Sequence, residues 1–339
     1  MNTTRENALR PFHIQYGRAK DLAKEIVMNP YIILTDVTCD LSPAIREQFG
    51  VTDYVHGHVS ISDGRELVTQ LDWSLISRED FYGCLGNRRM QVSTAPASPE
   101  EYYEYFKKYA EAGTDVLSLS ISSKISSTYN VAVGAAERVM AEYPQRRIVC
   151  VDSLRMSGSL GLLVCYAHEL QREGKTLDEV ADWLEKNRLR VHQMGPIDDL
   201  MFIARRGRIS TGKAIMGSFA GVKPMGDCNR DGYVTVLTKA KGMKKALNAT
   251  VAYVGEVATD VQDQYLLIVH SNREEYAMAL KEKLMTELHP KAVLVSDSYS
   301  ASGTNIGPGM VGVYFLGDEV SEELAREKEI MARIMESAR

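Results

Sequence analysis

The chain has 339 residues and a formal net charge of −5, with 45% hydrophobic and 25% charged residues. This length predicts two domains, and the composition is typical of a globular protein. The negative charge and the lack of a basic stripe interleaved with aromatic residues argue against nucleic-acid binding. No apolar run approaches the roughly 18–20 residues that a membrane helix needs.

The start of the chain predicts an extension that precedes the first domain. Residues 1–28 are polar and charged and lack the apolar segment of a secretory signal. A short amphipathic helix is predicted over residues 19–28. The five cysteines are scattered, without a CxxC pair, which predicts reduced thiols and a cytoplasmic location.

The first half of the chain alternates buried strands with helices. Short apolar runs at 31–35, 116–121 and 148–151 predict strands that each end in a polar turn opening a helix. This rhythm is typical of a parallel doubly wound sheet, whose ligands bind beyond the carboxyl ends of the strands. The polar residues expected near that edge are Asp36, Thr38, Thr94, Ser122, Ser126, Asp152 and Ser153.

Other elements of this half are predicted from caps and alternation. Ser42, Ser77 and Ser98 are expected to cap helices. Residues 54–62 alternate like one strand, and Asp63-Gly64 follows as a hairpin-type turn.

Residues 122–128 contain five hydroxyl side chains between the strand at 116–121 and an Ala-rich helical pattern at 130–143. Hydroxyls and free backbone N–H groups at a helix N-terminus form an anion site. Ser and Thr are also the usual helix caps. The sequence alone leaves both interpretations open.

The second half predicts an α+β arrangement with a mainly antiparallel sheet. Helices at 158–172 and 176–190 are expected to bridge to it. The six strand candidates are 201–204, 222–225, 233–238, 265–270, 292–296 and 310–316. Helices are predicted near 211–219, 241–260, 273–288 and 321–339. Asp231-Gly232 is predicted to form a hairpin turn.

Several clusters could carry chemistry, each with a simpler alternative. Three arginines in residues 205–208 indicate a carboxylate clamp or a solvated basic loop. Residues 302–309 are Gly-rich and predict a tight turn. The carboxylates of Asp36, Asp40 and Asp152 could serve a metal or acid–base chemistry, or cap helices.

Two histidines, His56 and His58, form an isolated HxH pair, which is a weak metal signal against a polar strand face.

Taken together, these segments resemble the DegV family, whose members include the fatty-acid-binding subunits of bacterial fatty acid kinase. The resemblance runs from about residue 31 to residue 316. The matching segments are TDVTCDL at 35–41, TAPASP at 94–99, ISSKISSTY at 121–129, DS at 152–153 with GLLV at 161–164, RRGRIS at 205–210, KP at 223–224 with DG at 231–232, and NIGPG at 305–309.

The resemblance implies a Rossmann-like α/β domain with a parallel sheet at 29–155 and an α+β domain with a six-stranded, mainly antiparallel sheet at 156–339. It also implies a binding protein that is not an enzyme and has no cofactor or metal. A long-chain fatty acid would lie in an internal tunnel, with its carboxyl group presented to a partner kinase. The alternative function is a metal-dependent hydrolase or phosphotransferase that uses Asp36 and Asp152.

Carried over by resemblance, Thr94, Ser126 and Arg205 would bind the carboxyl group. Asn305 stands where the family has His; it can donate a hydrogen bond but cannot carry charge. The nearby positions that would assist are Thr38, Ser122, Ser153 and Gly307.

Overall fold

The computed structural model describes residues 30–208 and 221–337. The predicted extension at 1–28 and the predicted helix near 211–219 lie outside the described residues. The predicted limits of the domains stay a prediction.

Thirteen strands and eleven helices lie in the described part of the chain. The strands are β1 Tyr31–Asp36, β2 Tyr54–Val55, β3 His58–Ile61, β4 Glu66–Val68, β5 Val92–Ala95, β6 Asp115–Ser120, β7 Ile148–Asp152, β8 Val191–Met194, β9 Val222–Cys228, β10 Val234–Lys241, β11 Tyr265–His270, β12 Ala292–Asp297 and β13 Val311–Leu316. The helices are α1 Pro43–Phe49, α2 Arg78–Gly86, α3 Pro99–Glu111, α4 Thr128–Glu142, α5 Gly158–Arg172, α6 Leu177–Asn187, α7 Leu200–Arg205, α8 Met243–Val257, α9 Glu274–Leu288, α10 Ser300–Ile306 and α11 Ala325–Ser337.

The first sheet is parallel, as predicted, with strand order β2-β1-β6-β7. Its central strands are apolar on both faces because helices cover both. On β1, Leu34 belongs to the same buried cluster as Phe106 of α3, whereas Ile33 belongs to the cluster that includes Leu160 of α5. Strands covered on both sides read as continuous apolar runs, which is why the pattern was visible in the sequence.

The second half contains six strands that are mainly antiparallel, but they form two sheets instead of the single six-stranded sheet that the resemblance implies. Four form a sheet of order β12-β11-β13-β8, in which only β11 and β12 run parallel. The hairpin of β9 and β10 lies beside this sheet and is joined to it by a bridge between Pro196 and Met225. The mixed α/β fold class is therefore confirmed.

One predicted strand of this half is wrong. Residues 201–204 belong to helix α7, and the sixth strand is β8 instead. The side chain of Asp199 accepts a hydrogen bond from the backbone N–H of Phe202 at 2.9 Å and so caps the helix. A short apolar run does not by itself distinguish a helix from a buried strand, and the cap decides here.

Residues 54–62 form two strands in different sheets. β2 joins the parallel sheet, and β3 joins a three-stranded antiparallel sheet of order β4-β3-β5. The break falls at Gly57, where a Cβ atom would lie 3.0 Å from the carbonyl oxygen of Ala95. The close approach of two backbones explains the break.

The Gly-rich segment at 302–309 is helical at first. It belongs to α10 as far as Ile306, and the predicted turn is confined to its end. There Gly307 and Gly309 have φ values of +76° and +104°, which favour glycine. None of the helices in residues 30–208 and 221–337 is long and apolar enough to cross a bilayer.

The buried carboxyl group of Asp40 joins three distant segments. It accepts hydrogen bonds from the hydroxyl of Ser157 at 2.6 Å and from the backbone N–H of Tyr299 at 3.0 Å. Ser157 precedes α5 and Tyr299 precedes α10. Burial raises the pKa of Asp40 from 3.8 to about 7, although these hydrogen bonds oppose the rise.

This raised pKa predicts a pH dependence of stability. The folded state binds the Asp40 proton more tightly than the unfolded state, so the stabilisation is complete below about pH 4 and is lost as the pH rises through about 7. We expect the free energy of unfolding of the wild type to fall over that range and the Asp40→Asn variant to show a flatter profile. Urea denaturation at several pH values measures both, and identical profiles would contradict the assignment.

A second buried cluster surrounds Asp227 on β9. One carboxylate oxygen of Asp227 lies 2.6 Å from Nδ1 of His192 and 2.9 Å from the hydroxyl of Tyr253. The other accepts from the backbone N–H groups of Gln193 at 2.8 Å and Cys228 at 2.6 Å. This cluster ties the β9–β10 hairpin to the edge strand β8 and to helix α8.

Removal of this carboxylate should destabilise the protein strongly. Asp227→Ala leaves four buried donors without their acceptor, and we expect a loss of about 3–5 kcal/mol in the free energy of unfolding. A matched control is Asp178→Asn, which breaks the exposed ion pair with Arg147 and should leave the urea midpoint nearly unchanged. Equal effects of the two substitutions would show that the cluster is not a stabilising element.

Candidate functional site

A cavity of about 510 Å³ lies between the strand ends of the parallel sheet and the sheet of the second half. One side is built from the turns after the parallel strands β1 and β6, where the fold class predicts a ligand site, and from the end of the antiparallel strand β5. The opposite side is built from β8, β9, β13 and α10. The segments that line it include residues 36–38, 55–58, 94–97, 123–128, 193–195, 301–302, 305–306 and 310–312.

Four of the predicted site residues line this cavity: Thr38, Thr94, Ser126 and Asn305. The side-chain amide of Asn305 donates to the hydroxyl of Thr94 at 3.2 Å, although 211 positions separate them in the chain. The hydroxyl groups of Ser126 and Thr128 lie 2.7 Å apart. The fold thus gathers neutral hydrogen-bonding groups from three separate elements.

Three of the assisting positions do not line the cavity. Ser122 and Ser153 are fully buried. The oxygen of Ser122 accepts from the backbone N–H of Lys124 at 3.2 Å, and the hydroxyl of Ser153 donates to the carbonyl of Arg155 at 3.1 Å. Gly307 lies against Phe202, whose ring carbon would be 2.6 Å from a Cβ at that position. The structure gives these positions local structural roles.

Arg205 is not brought to the other predicted residues. Its side chain is 63% exposed and lies 3.7 Å from the carboxylate of Asp199. The expectation placed Arg205 after a strand, whereas it is the last residue of helix α7, which turns it away from the cavity wall. Arg208 of the same loop does line the cavity and is partly buried.

The hydroxyl-rich turn before α4 is used sparingly for capping. Ser127 occupies the N-cap position but makes no capping bond with its side chain. Ser126 accepts from the backbone N–H of Thr128 at 3.3 Å and still faces the cavity. The turn therefore provides one capping bond and also presents hydroxyl groups to the cavity, so the helix-cap and anion-site interpretations each account for part of it.

The polar side of the cavity is also the side that opens to solvent. Four lining residues are exposed, namely Ala95, Lys124, Ser127 and Asn130. They adjoin Thr94 and Ser126 in the chain. On the opposite side, the lining residues Met194, Met310 and Tyr314 are buried. The cavity therefore has a polar opening and a largely apolar inner wall.

The three candidate carboxylates do not converge. Asp36 accepts from the backbone N–H groups of Thr38 at 3.0 Å and Ile121 at 2.8 Å, and burial raises its pKa. Asp152 accepts from the backbone N–H of Ser123 at 3.1 Å. Within the described ranges, no group of three or more His, Cys, Asp or Glu side chains is arranged to hold a metal ion. The structure gives the hydrolase alternative no support.

Both histidines of the HxH pair line the cavity but bind different partners. Nδ1 of His56 donates to the carbonyl oxygen of Thr69 at 2.6 Å. Nε2 of His58 lies 2.9 Å from the carboxylate of Glu101. Their partners belong to different segments, and only His58 lies in a strand, so the two side chains do not form a metal-binding pair.

Two residues that line the cavity could not be recognised as site residues from the sequence. Arg208 could not be singled out among three neighbouring arginines. Gln193 lies in β8, a strand that was not predicted.

Comparison with known proteins agrees with this geometry. A family model described as an uncharacterised protein of the DegV family matches residues 31–318. A DegV domain-containing protein of Clostridium perfringens is 31% identical over 291 residues, which cover 86% of this chain and 99% of that protein. A DegV family protein from Thermus thermophilus, described as binding fatty acid, is 28% identical with a TM-score of 0.74; the match covers 86% of this chain and 100% of that one.

A DegV family protein from Eubacterium eligens, solved loaded with heptadecanoic acid, shares the fold with a TM-score of 0.73. Its identity is 18%, and the match covers 84% of this chain and 99% of that one. The matched region contains both walls of the cavity, and this chain belongs to the DegV family.

Proposed function

We propose that this protein binds a long-chain fatty acid in the cavity and holds its carboxyl group at the polar opening. The observation that carries the proposal is the division of the cavity into an opening with Thr94, Ser126 and Asn305 and a largely apolar inner wall. The fatty acids described for relatives from Thermus thermophilus and Eubacterium eligens support the same ligand class.

The two parts of the cavity suit the two parts of such a ligand. Each methylene group removed from water contributes about 0.8 kcal/mol, so an apolar wall supplies most of the affinity. Neutral hydroxyl and amide donors orient the carboxyl group but cannot balance its charge. A cation at the cavity therefore favours the ionised form of the acid.

Arg208 is the cation that we assign to the carboxylate, in place of Arg205. Arg208 is partly buried and lines the cavity, whereas Arg205 is exposed and outside it. A guanidinium group can bind both carboxylate oxygens at once, which makes an arginine well suited to this position.

We further propose a carrier role in the cytoplasm rather than catalysis. A carboxyl group held beside the exposed residues Lys124 and Ser127 would be accessible to a partner. The family resemblance implies that this partner is a fatty acid kinase subunit. The five free cysteines suit a reducing compartment.

The proposal is tested by identifying the ligand directly. The protein is purified without detergent, and native mass spectrometry is followed by extraction and identification of small molecules. We expect one fatty acid per chain, and the delipidated protein should rebind it with a stoichiometry of one. Delipidated, folded protein that binds no saturated or unsaturated fatty acid in calorimetry would overturn the proposal.

A pair of arginine variants tests the head-group assignment. Arg208→Ala should weaken binding of a fatty acid by roughly tenfold to a hundredfold, because a charged hydrogen bond is lost. It should hardly affect the corresponding fatty alcohol, which has no charge. The matched control Arg205→Ala should change either affinity by less than about fivefold. If Arg205→Ala shows the acid-selective loss and Arg208→Ala does not, the assignment is reversed.

A further inference from the structure

Gln193 places a polar side chain on the inner wall of the cavity. It lies on β8 directly opposite Tyr314 of β13 in the antiparallel register, and both residues line the cavity. Residues opposite each other in such a pair share one face of the sheet. The adjacent residues His192 and Phe315 lie on the other face, where their rings stack with centroids 5.7 Å apart. The side chain of Gln193 is thus directed to the cavity side.

The side-chain amide of Gln193 is left without a protein partner in the described part of the chain. Its backbone N–H donates to Asp227 at 2.8 Å, which fixes the strand. Across residues 30–208 and 221–337, the amide of its side chain has no hydrogen-bond partner, although Gln193 is partly buried. The flanking wall residues Met194 and Met310 are apolar. An amide offers two donors and an acceptor, which a bound ligand can use.

We infer that the preferred ligand carries a hydroxyl or keto oxygen on its acyl chain, at the point where the chain passes Gln193. This inference rests on the proposed function. A plain methylene chain would displace water from the amide without replacing its hydrogen bonds, which loses affinity. A hydroxyl or keto oxygen on the acyl chain gives the amide of Gln193 a hydrogen-bond partner again.

The oxygen substituent of the inferred ligand lies some way along the acyl chain from the carboxyl group. The carboxyl group is held at the opening by Thr94 of β5 and by Ser126 in the turn after β6, whereas Gln193 of β8 belongs to the opposite side of the cavity. A hydroxyl next to the carboxyl group would remain at the opening. The ligand class is therefore a long-chain acid with an oxygen substituent along its chain.

The test compares plain octadecanoic acid with its 2-, 10- and 12-hydroxy derivatives on the delipidated full-length protein. We expect the 10- or 12-hydroxy acid to bind about tenfold more tightly than the plain acid, and the 2-hydroxy acid to show no advantage. Gln193→Met, which keeps the length of the side chain and removes the amide, should abolish the preference while retaining affinity for the plain acid. Met156→Leu, an apolar substitution in the cavity wall, serves as the control and should keep the preference.

Each outcome has a defined meaning. If the wild type binds the plain acid as tightly as every hydroxy acid, the inference is overturned and the proposed function stands. A preference for the hydroxy acid that persists in Gln193→Met also overturns the inference, because another group would then bind the hydroxyl. If the folded wild type binds none of the four acids, the proposed function fails and the inference fails with it.

Discussion

The buried carboxyl group of Asp40 is the interaction on which the cavity depends. It stands in the turn after β1 and accepts from Ser157 and from the backbone of Tyr299, at the starts of two helices of the second half. The donors are neutral, and burial raises the pKa of Asp40 because no solvent stabilises its charge. Ser157 and Ser302 both line the cavity. The side chain of Asp40 thus links the two opposing walls of the cavity and helps to set the distance between them.

Much of the fold could be predicted because its local signals agree. The strands of the parallel sheet are apolar runs ended by polar turns, and Ser42, Ser77 and Ser98 accept the capping bonds expected of them. The error at residues 201–204 shows the limit. An apolar run of four residues is compatible with either a strand or a helical turn, and the outcome was decided by Asp199, whose side chain caps the helix. The capping residue, and not the hydrophobicity of the run, determined the secondary structure of this segment.

The sequence predicted several of the residues that line the cavity, but it did not predict how they are arranged. Thr94 and Asn305 meet because α10 packs against the antiparallel strand β5, and Ser126 lies beyond the carboxyl end of the parallel strand β6. The choice among Arg205, Arg206 and Arg208 depends on where α7 ends, since a shift of one residue rotates a side chain by about 100° around a helix. Gln193 could not be found because its role depends on register with Tyr314, which is a tertiary property.

The distribution of charge around the cavity connects these observations. Asn305 contributes a hydrogen bond to Thr94 without adding charge to the opening. In the proposed complex, Arg208 supplies positive charge to the head group beside the exposed Lys124, while hydroxyls and an amide set the orientation. Affinity comes from the inner wall, where contacts are non-directional and roughly proportional to apolar area. In the inferred complex, a chain that covers the amide of Gln193 without meeting it loses affinity, so discrimination between chains would fall to Gln193 rather than to the opening.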